Sequence, residues 1–170
     1  MNRKSVIKHI IAEAAGNPIL AEQYEMKEVL SPIIKSMRGL IEKAKGKLKT
    51  VKSIASRIES GKLTRDYLED VKQTWLELNH IFTEIMQLRN EMAEEVKKNF
   101  EGIPMPKELA QLVISSAYRH ASNPQSLSRR AYKYCCSESA DSTIEDAELC
   151  EMNLDKLSET LYSITKGMLY

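Results

Sequence analysis

The sequence predicts an all-α fold, and three observations support this prediction. The composition is helical, since charged residues make up 29% of the 170 residues, aromatic residues only 6%, and there are six glycines and five prolines. No segment shows the alternation of polar and apolar residues that a half-buried strand requires. Apolar residues recur instead at steps of three and four, which is the spacing of one helix face.

Six helices are expected from the residues that end and start helices. A first helix over residues 1–16 ends at Gly16, and Asn17 caps a second helix that has Pro18 at its first position. Pro32 either starts a further segment or kinks the continuing helix.

Further breaks follow along the chain. Gly61 ends the second helix, and the segment EGIPMP over residues 101–106 separates the long helices from the C-terminal ones. Pro124 is expected to start another helix, and Ser142 forms a capping box with Glu145 before the last one.

The most regular apolar pattern predicts a long antiparallel coiled-coil hairpin over about 19–60 and 64–100. Its apolar residues, which we call the hairpin seam, are Leu30, Ile34, Met37, Ile41, Ala44, Leu48, Val51, Ala55 and Ile58, followed by Leu68, Val71, Trp75, Leu78, Phe82, Ile85, Met92 and Val96. A short connection makes the two helices antiparallel neighbours. With the turn near Leu63, the predicted layers are Ile41 with Ile85, Leu48 with Leu78, and Val51 with Trp75.

A second seam with the same spacing runs over residues 147–168. The whole chain is expected to form a single helical domain over residues 1–170, because this length can bury a core. Within it, the N-terminal helix occupies 1–16, the hairpin 18–100 and the shorter C-terminal helices, packed against the hairpin, 106–170.

Lysine is concentrated in the segment EKAKGKLKTVKSIASR, but it does not form one patch there. Alternate residues on a helix lie about 200° apart, so the run scatters around its helix. With the seam at heptad positions a and d, positions e and g lie on opposite sides of the hairpin, which we call the e side and the g side. The e side and its adjacent b positions are basic and are predicted to bind a partner. These residues are Lys35, Arg38, Lys45, Lys49, Lys52 and Lys72.

The g side is apolar and is bordered by acids. Its apolar residues, a predicted interface, are Ile33, Leu40, Ile54, Ile81 and Leu88, and the acids beside them are Asp70, Glu77, Glu84 and Glu91. We expect the C-terminal helix or a second copy of the chain to cover this side, and we expect a homodimer.

The stretch SRRAYKYCC supplies a second candidate binding segment. Arg129 and Lys133 lie one turn apart, as do Arg130 and Tyr134, so that cations and phenol rings side by side can hold a phosphate and stack a base. Alternatively, the arginines pair with the acidic segment over residues 138–159.

Metal, catalytic and membrane chemistry have little support in the sequence. The three histidines lie on different predicted helices, and two of the three cysteines are adjacent, which is unusual for a zinc site. We expect no metal, no cofactor, no catalytic residue and no enzyme activity. No apolar run approaches the length of a spanning helix, and so few cysteines do not make a disulfide framework. A cytoplasmic protein without a membrane partner is therefore expected.

The two parts of the chain carry opposite charge. Residues 1–62 contain thirteen Lys or Arg and six acids, whereas residues 63–170 contain twelve and eighteen. Patterned charge and apolar seams favour a non-enzymatic helical interaction protein: an adaptor, a modulator or inhibitor, or an assembly component that binds a larger protein partner. The alternative is a nucleic-acid-binding protein that uses the e side together with Arg129, Arg130 and Lys133.

Overall fold

The computed structural model of the chain describes residues 6, 7, 10, 15–114, 119–136 and 141–168. These residues form five helices and no strand, which confirms the all-α prediction. The helices are α1 (Pro18–Glu59), α2 (Leu68–Asn99), α3 (Lys107–Ile114), α4 (Arg119–Cys136) and α5 (Asp141–Gly167), and a 3₁₀ turn over Arg65–Tyr67 precedes α2. The sixth predicted helix, over residues 1–16, lies almost entirely outside the described residues.

Both ends of α1 follow from its sequence. The side-chain oxygen of Asn17 accepts a hydrogen bond from the N–H of Leu20 at 3.1 Å, which caps the N-terminus as predicted. At the other end Gly61 has a φ of 73°, a conformation that glycine adopts without strain. The N–H of Lys62 then reaches the carbonyl of Arg57 at 2.8 Å and closes a Schellman motif.

Two prolines lie inside helices. α1 continues through Pro32, which is exposed, so the carbonyl that proline leaves without a donor can be hydrated. The prediction that Pro124 starts a helix is wrong, because α4 already begins at Arg119. Pro124 is buried, and its carbonyl accepts a hydrogen bond from Cys150 Sγ of α5 at 3.9 Å.

α2 begins later than the predicted start at residue 64. Thr64 makes no side-chain capping bond, and its hydroxyl donates instead to the Asp66 carboxylate at 3.4 Å. The helix starts at Leu68, where Glu69 and Asp70 place negative charge in the first turn, as the helix dipole favours.

The remaining predicted breaks lie in the C-terminal half. α2 and α3 are separated at the segment over residues 101–106, where Gly102 has a φ of 77°. α5 begins at Asp141, but the Ser142 side chain of the predicted capping box with Glu145 lies outside the described residues.

The chain divides into two compact units. The first comprises Met1–Arg38, Leu88–Ser116 and Glu159–Tyr170, and the second comprises Gly39–Gln87 and Ala117–Ser158. Parts of α1, α2 and α5 therefore belong to each unit, whereas α3 lies in the first and α4 in the second.

Arg89 connects α2 to α3 in the first unit. It occupies the position where the apolar seam of α2 is interrupted, and its Nε donates to the carbonyl of Leu112 at 2.9 Å. That carbonyl lies in the last described turn of α3. The largest fully buried side chains of this unit are Met26, Leu30, Met37, Met92, Leu109 and Leu112.

The second unit is a four-helix bundle in which neighbouring helices run antiparallel. Its interhelical contacts are Lys47 with Glu77 (α1 and α2), Thr83 with Gln125 and Asn79 with Ser128 (α2 and α4), Arg130 with Asp146 and Pro124 with Cys150 (α4 and α5), and Lys45 with Asp155 and Lys52 with Glu151 (α1 and α5). Three of these pairs of helices, α2 with α4, α4 with α5, and α1 with α5, have two contacts each. In each of them the residue numbers rise along one helix as they fall along the other, which shows that the two helices are antiparallel. The helices therefore form a ring in the order α1, α2, α4, α5.

The predicted hairpin seam is the core. Every seam residue is buried except Ile58, which is half-buried. Trp75 and Phe82, the largest of the seam side chains, are 0% and 1% exposed, as their assignment to the seam requires. The second seam, over residues 147–168, is also buried at each predicted position. These apolar faces give the helices the contacts that stabilise them, since isolated helices are marginal in water.

Two of the three free cysteines are buried between α4 and α5. Cys135 Sγ lies 3.4 Å from the hydroxyl of Thr143, and Cys150 is fully buried, whereas Cys136 is exposed. Burial raises the pKa of the Cys135 and Cys150 thiols above the ordinary value of 9.0.

Stability is expected to decrease as the pH rises above about 9. A buried thiol with a raised pKa keeps its proton in the folded chain while the unfolded chain releases it, so Cys150, the more deeply buried of the two, should cost about 1 kcal/mol at pH 10. Urea unfolding at pH 7.5, 9 and 10 measures the loss. The Cys150→Ala variant should show a smaller loss between pH 7.5 and 10, whereas Cys136→Ala, which removes an exposed thiol, should not. An unchanged pH dependence in Cys150→Ala would contradict the assignment.

Candidate functional site

The e side of the hairpin, predicted to be a wet basic surface, is an interhelical contact in the second unit. Lys45 forms an ion pair with Asp155 of α5, and Lys52 Nζ lies 2.6 Å from the Glu151 carboxylate. Acids of the C-terminal helix therefore neutralise two of the lysines that were predicted to bind a partner. The excess positive charge of the first sixty residues and the excess negative charge of the rest partly cancel here by folding.

Lys72 is neutralised within its own helix. Its Nζ lies 3.6 Å from the carboxylate of Glu69, and it also lies 5.7 Å from the centre of the Tyr132 ring on α4. Lys72 is therefore paired like Lys45 and Lys52, but with an acid of its own helix.

The same contacts bear on the apolar g side, which either α5 or a second copy of the chain was expected to cover. Lys45 and Lys52, which α5 contacts, are e positions, so α5 does not cover the g side of the second unit. α4 contacts α2 at Asn79 and Thr83, which are e and b positions. Both C-terminal helices thus lie on the e side of the second unit, and the g side faces away from them.

The ion pair with Asp155 affects the pKa of Lys45. The hydrogen bond to Asp155 raises the pKa of Lys45, although partial burial opposes the shift. A lysine with a raised pKa contributes stability that is present below its unfolded-state pKa and is lost as the pH rises through the folded-state value. Lys45 is therefore a stabilising contact between α1 and α5 over the whole neutral range.

In the second candidate binding segment, SRRAYKYCC, the structure pairs one of the cations with an acid of α5 and leaves two exposed. Arg130 donates two hydrogen bonds to Asp146, whose side chain is 2% exposed, and this pairing raises the pKa of the guanidinium. This ion pair corresponds to the predicted alternative, in which the arginines of SRRAYKYCC pair with the acidic segment over residues 138–159. Arg129 and Lys133 are exposed on α4.

The nine predicted binding cations do not form one site. Four of them, Lys45, Lys52, Lys72 and Arg130, are held in ion pairs. Lys35 and Arg38 are exposed in the first unit, and Lys49 is exposed in the second.

The g side of the second unit carries the more coherent surface, which we call the hairpin face. Its central residues are Leu40 and Ile54, which are half-buried, and Ile81, which is 4% exposed. Of the other predicted interface residues, Ile33 and Leu88 lie in the first unit and are half-buried.

Opposite charges border the hairpin face on its two edges. On α1 the edge residues are Lys43 and Arg57, and on α2 they are Asp70 and Glu84. All four are exposed, and each occupies position c of its heptad, next to the g side. None of them is engaged in an ion pair among the described residues. The sequence pattern identified the acidic row, but it did not single out Lys43 and Arg57 as the matching basic row.

An ion pair crosses the middle of the hairpin face. Lys47 donates a hydrogen bond to Glu77, and this bond together with the charges of Lys47 and Lys43 lowers the pKa of the Glu77 carboxyl.

A cavity of about 420 Å³ lies near the hairpin turn of the second unit, and the sequence did not predict it. Its lining residues are Arg65, Asp66, Leu68, Glu69, Lys72, Cys135 and Cys136. The pKa of Lys72 is raised by Glu69, Tyr132 and Cys136, in that order. The charged lining residues are two cations, Arg65 and Lys72, and two acids, Asp66 and Glu69, so the cavity carries no net formal charge.

The described residues contain no group of three or more histidine, cysteine or acidic side chains placed to hold a metal ion. They also contain no helix with the length and apolar character needed to cross a membrane. No protein-family model matches the chain, and no curated protein or solved structure shows a significant similarity to it.

Proposed function

We propose that the chain is a non-enzymatic helical interaction protein that binds a protein partner through the hairpin face of its second unit. The observation that carries the proposal is the arrangement of two exposed rows of opposite charge on either side of incompletely buried apolar residues. Protein interfaces combine an apolar centre with a polar rim in this way. An adaptor, a modulator or inhibitor, and an assembly component all require such a surface.

The charge pattern favours a protein over a nucleic acid as the partner. A phosphate backbone is negative along its whole length and is bound by uniformly basic surfaces. The acidic edge formed by Asp70 and Glu84 would repel it. Several cations of the predicted nucleic-acid site, such as Lys52 and Arg130, are instead engaged with acids of α5.

Charges of both signs also give a protein partner specificity. A complementary pattern of charge speeds association, and a mismatched partner meets like charges that weaken the complex. Because these charges are exposed, their effect on the rate of association should decrease with added salt.

A photo-crosslinking amino acid at Thr50 tests the proposal. Thr50 is exposed and lies between Lys43 and Arg57 on the basic edge, so its side chain projects beside a bound partner. The matched control places the same amino acid at Glu148, which is exposed on α5 away from the hairpin face. We expect protein adducts from Thr50, unchanged by nuclease and reduced by the pair of substitutions Lys43→Glu and Arg57→Glu. Equal adducts from both positions, or adducts that nuclease removes, would overturn the proposal.

A further inference from the structure

We infer that the partner on the hairpin face is a second copy of this chain, bound about a two-fold axis that runs parallel to α1 and α2. The inference rests on the proposed function and narrows it to an assembly component. It goes further than the expectation of a homodimer because it identifies the contacting rows, the symmetry axis and the pairs of charges.

The two charged edges lie at matching heights along the hairpin. The contact between Lys47 and Glu77 fixes the register of α1 against α2. In this register Lys43 lies level with Glu84, and Arg57 lies level with Asp70, each to within one turn of about 5.4 Å. The basic and acidic rows therefore have the same spacing and the same height.

A two-fold rotation about an axis parallel to the helices brings these rows together. The rotation exchanges the two edges of the face without changing the height of any residue, so α1 of one copy faces α2 of the other. Lys43 then meets Glu84 of the second copy, and Arg57 meets Asp70 of the second copy. Symmetry repeats both contacts, which gives four ion pairs in a closed, self-complementary interface.

The other in-plane two-fold axis, perpendicular to the helices, is disfavoured by the same charges. It would place α1 against α1, with Lys43 and Arg57 facing cations, and α2 against α2, with Asp70 and Glu84 facing acids. Only the parallel axis satisfies all four residues, and it also brings the half-buried Leu40 and Ile54 of each copy into the interface.

Two properties favour a second copy over a different protein. The hairpin face carries two free cations and two free acids, and its central Lys47 and Glu77 neutralise each other. The face therefore has no net charge, and its charges can pair with those of an identical face. The formal net charge of the chain is only +1, so two copies do not repel each other strongly at long range.

Complementary charge swaps provide the test. An acidic-face variant carries Lys43→Glu and Arg57→Glu, and a basic-face variant carries Asp70→Lys and Glu84→Lys. The matched control for the acidic-face variant carries Lys107→Glu and Arg119→Glu, which make the same change in net charge at exposed residues outside the hairpin face. Far-UV circular dichroism first confirms that each variant is folded. Sedimentation equilibrium of the full chain is then measured at 5–300 µM, as an order-of-magnitude range for weak dimers.

We expect the wild type and the control to dimerise, and each swapped variant to dimerise about tenfold or more weakly, because four pairs become repulsive. An equimolar mixture of the two swapped variants should recover the dimer, since every acid of one then meets a cation of the other. A monomeric wild type, a swapped variant that dimerises like wild type, or a mixture of folded variants that stays monomeric would each overturn the inference.

The two proposals fail in distinguishable ways. If the purified chain is monomeric and the Thr50 probe forms adducts with a different protein, the inference that the partner is a second copy is wrong, but the proposed function is supported. If Thr50 forms no protein adduct and the chain is monomeric, both are wrong. An adduct between two copies of the chain from Thr50, absent from Glu148, supports both.

Discussion

Replacing Trp75 by alanine is expected to lower the free energy of unfolding by about 3–5 kcal/mol, since the change removes the largest side chain of the core and leaves a cavity. Trp75 is 0% exposed and belongs to the seam of the second unit. Its Nε1 has no hydrogen-bond partner among the described residues. Trp75→Phe should therefore cost less than the lost volume alone implies, because it also removes a buried, unpaired N–H.

Urea unfolding followed by circular dichroism measures this loss. Tyr67→Ala is the matched control, because it also truncates an aromatic side chain, but one that is 44% exposed. We expect the control to cost less than about 1 kcal/mol. A Trp75→Ala variant no less stable than the control would show that the seam register is wrong.

Replacing Arg130 by alanine is expected to cost about 2–4 kcal/mol, because it leaves the Asp146 carboxylate buried without its cation. Asp146 is 1% exposed, whereas the Arg130 side chain is 49% exposed, so water reaches only part of the pair. Arg130→Lys keeps the charge but loses the two-pronged geometry of the guanidinium and should fall between the alanine variant and the wild type.

The double variant Arg130→Met with Asp146→Leu separates the cost of breaking the pair from the value of the pair itself. Replacing both charges by apolar groups removes the buried unpaired carboxylate, so we expect most of the lost stability to return. The measurement is again urea unfolding, at a pH near 7. If the double variant is as unstable as Arg130→Ala, then the ion pair itself, and not the stranded carboxylate, stabilises the contact between α4 and α5.

The predictable parts of the fold depend on local spacing. Asn17, Pro18 and Gly61 mark the ends of α1 because their own conformations and side chains satisfy groups at a helix terminus. Pro124 shows the limit of such rules. The same local signal that starts α1 at Pro18 lies inside α4, where packing against Cys150 decides the outcome.

The candidate site was predictable only in part. The apolar g side and its acidic row follow from the heptad pattern, and both are found on the hairpin face. The basic row of Lys43 and Arg57 was not identified, because a run of lysines around a helix does not show which of them remain unpaired. That distinction requires knowing where Asp155 and Glu151 lie, about a hundred residues away in the sequence.

The sequence by itself determined that the chain is all-α, where most helices end and which residues form the seams, because three-four spacing fixes the buried face of a helix whatever it packs against. Only the tertiary structure decided which side of the hairpin α4 and α5 occupy. A heptad seam is bordered by an e side and a g side, and its apolar positions do not distinguish between them. The choice was made by contacts between distant segments, such as Lys45 with Asp155 and Thr83 with Gln125. Those contacts pair one set of charges between helices of the bundle, whereas Lys43, Arg57, Asp70 and Glu84 on the hairpin face take no part in them.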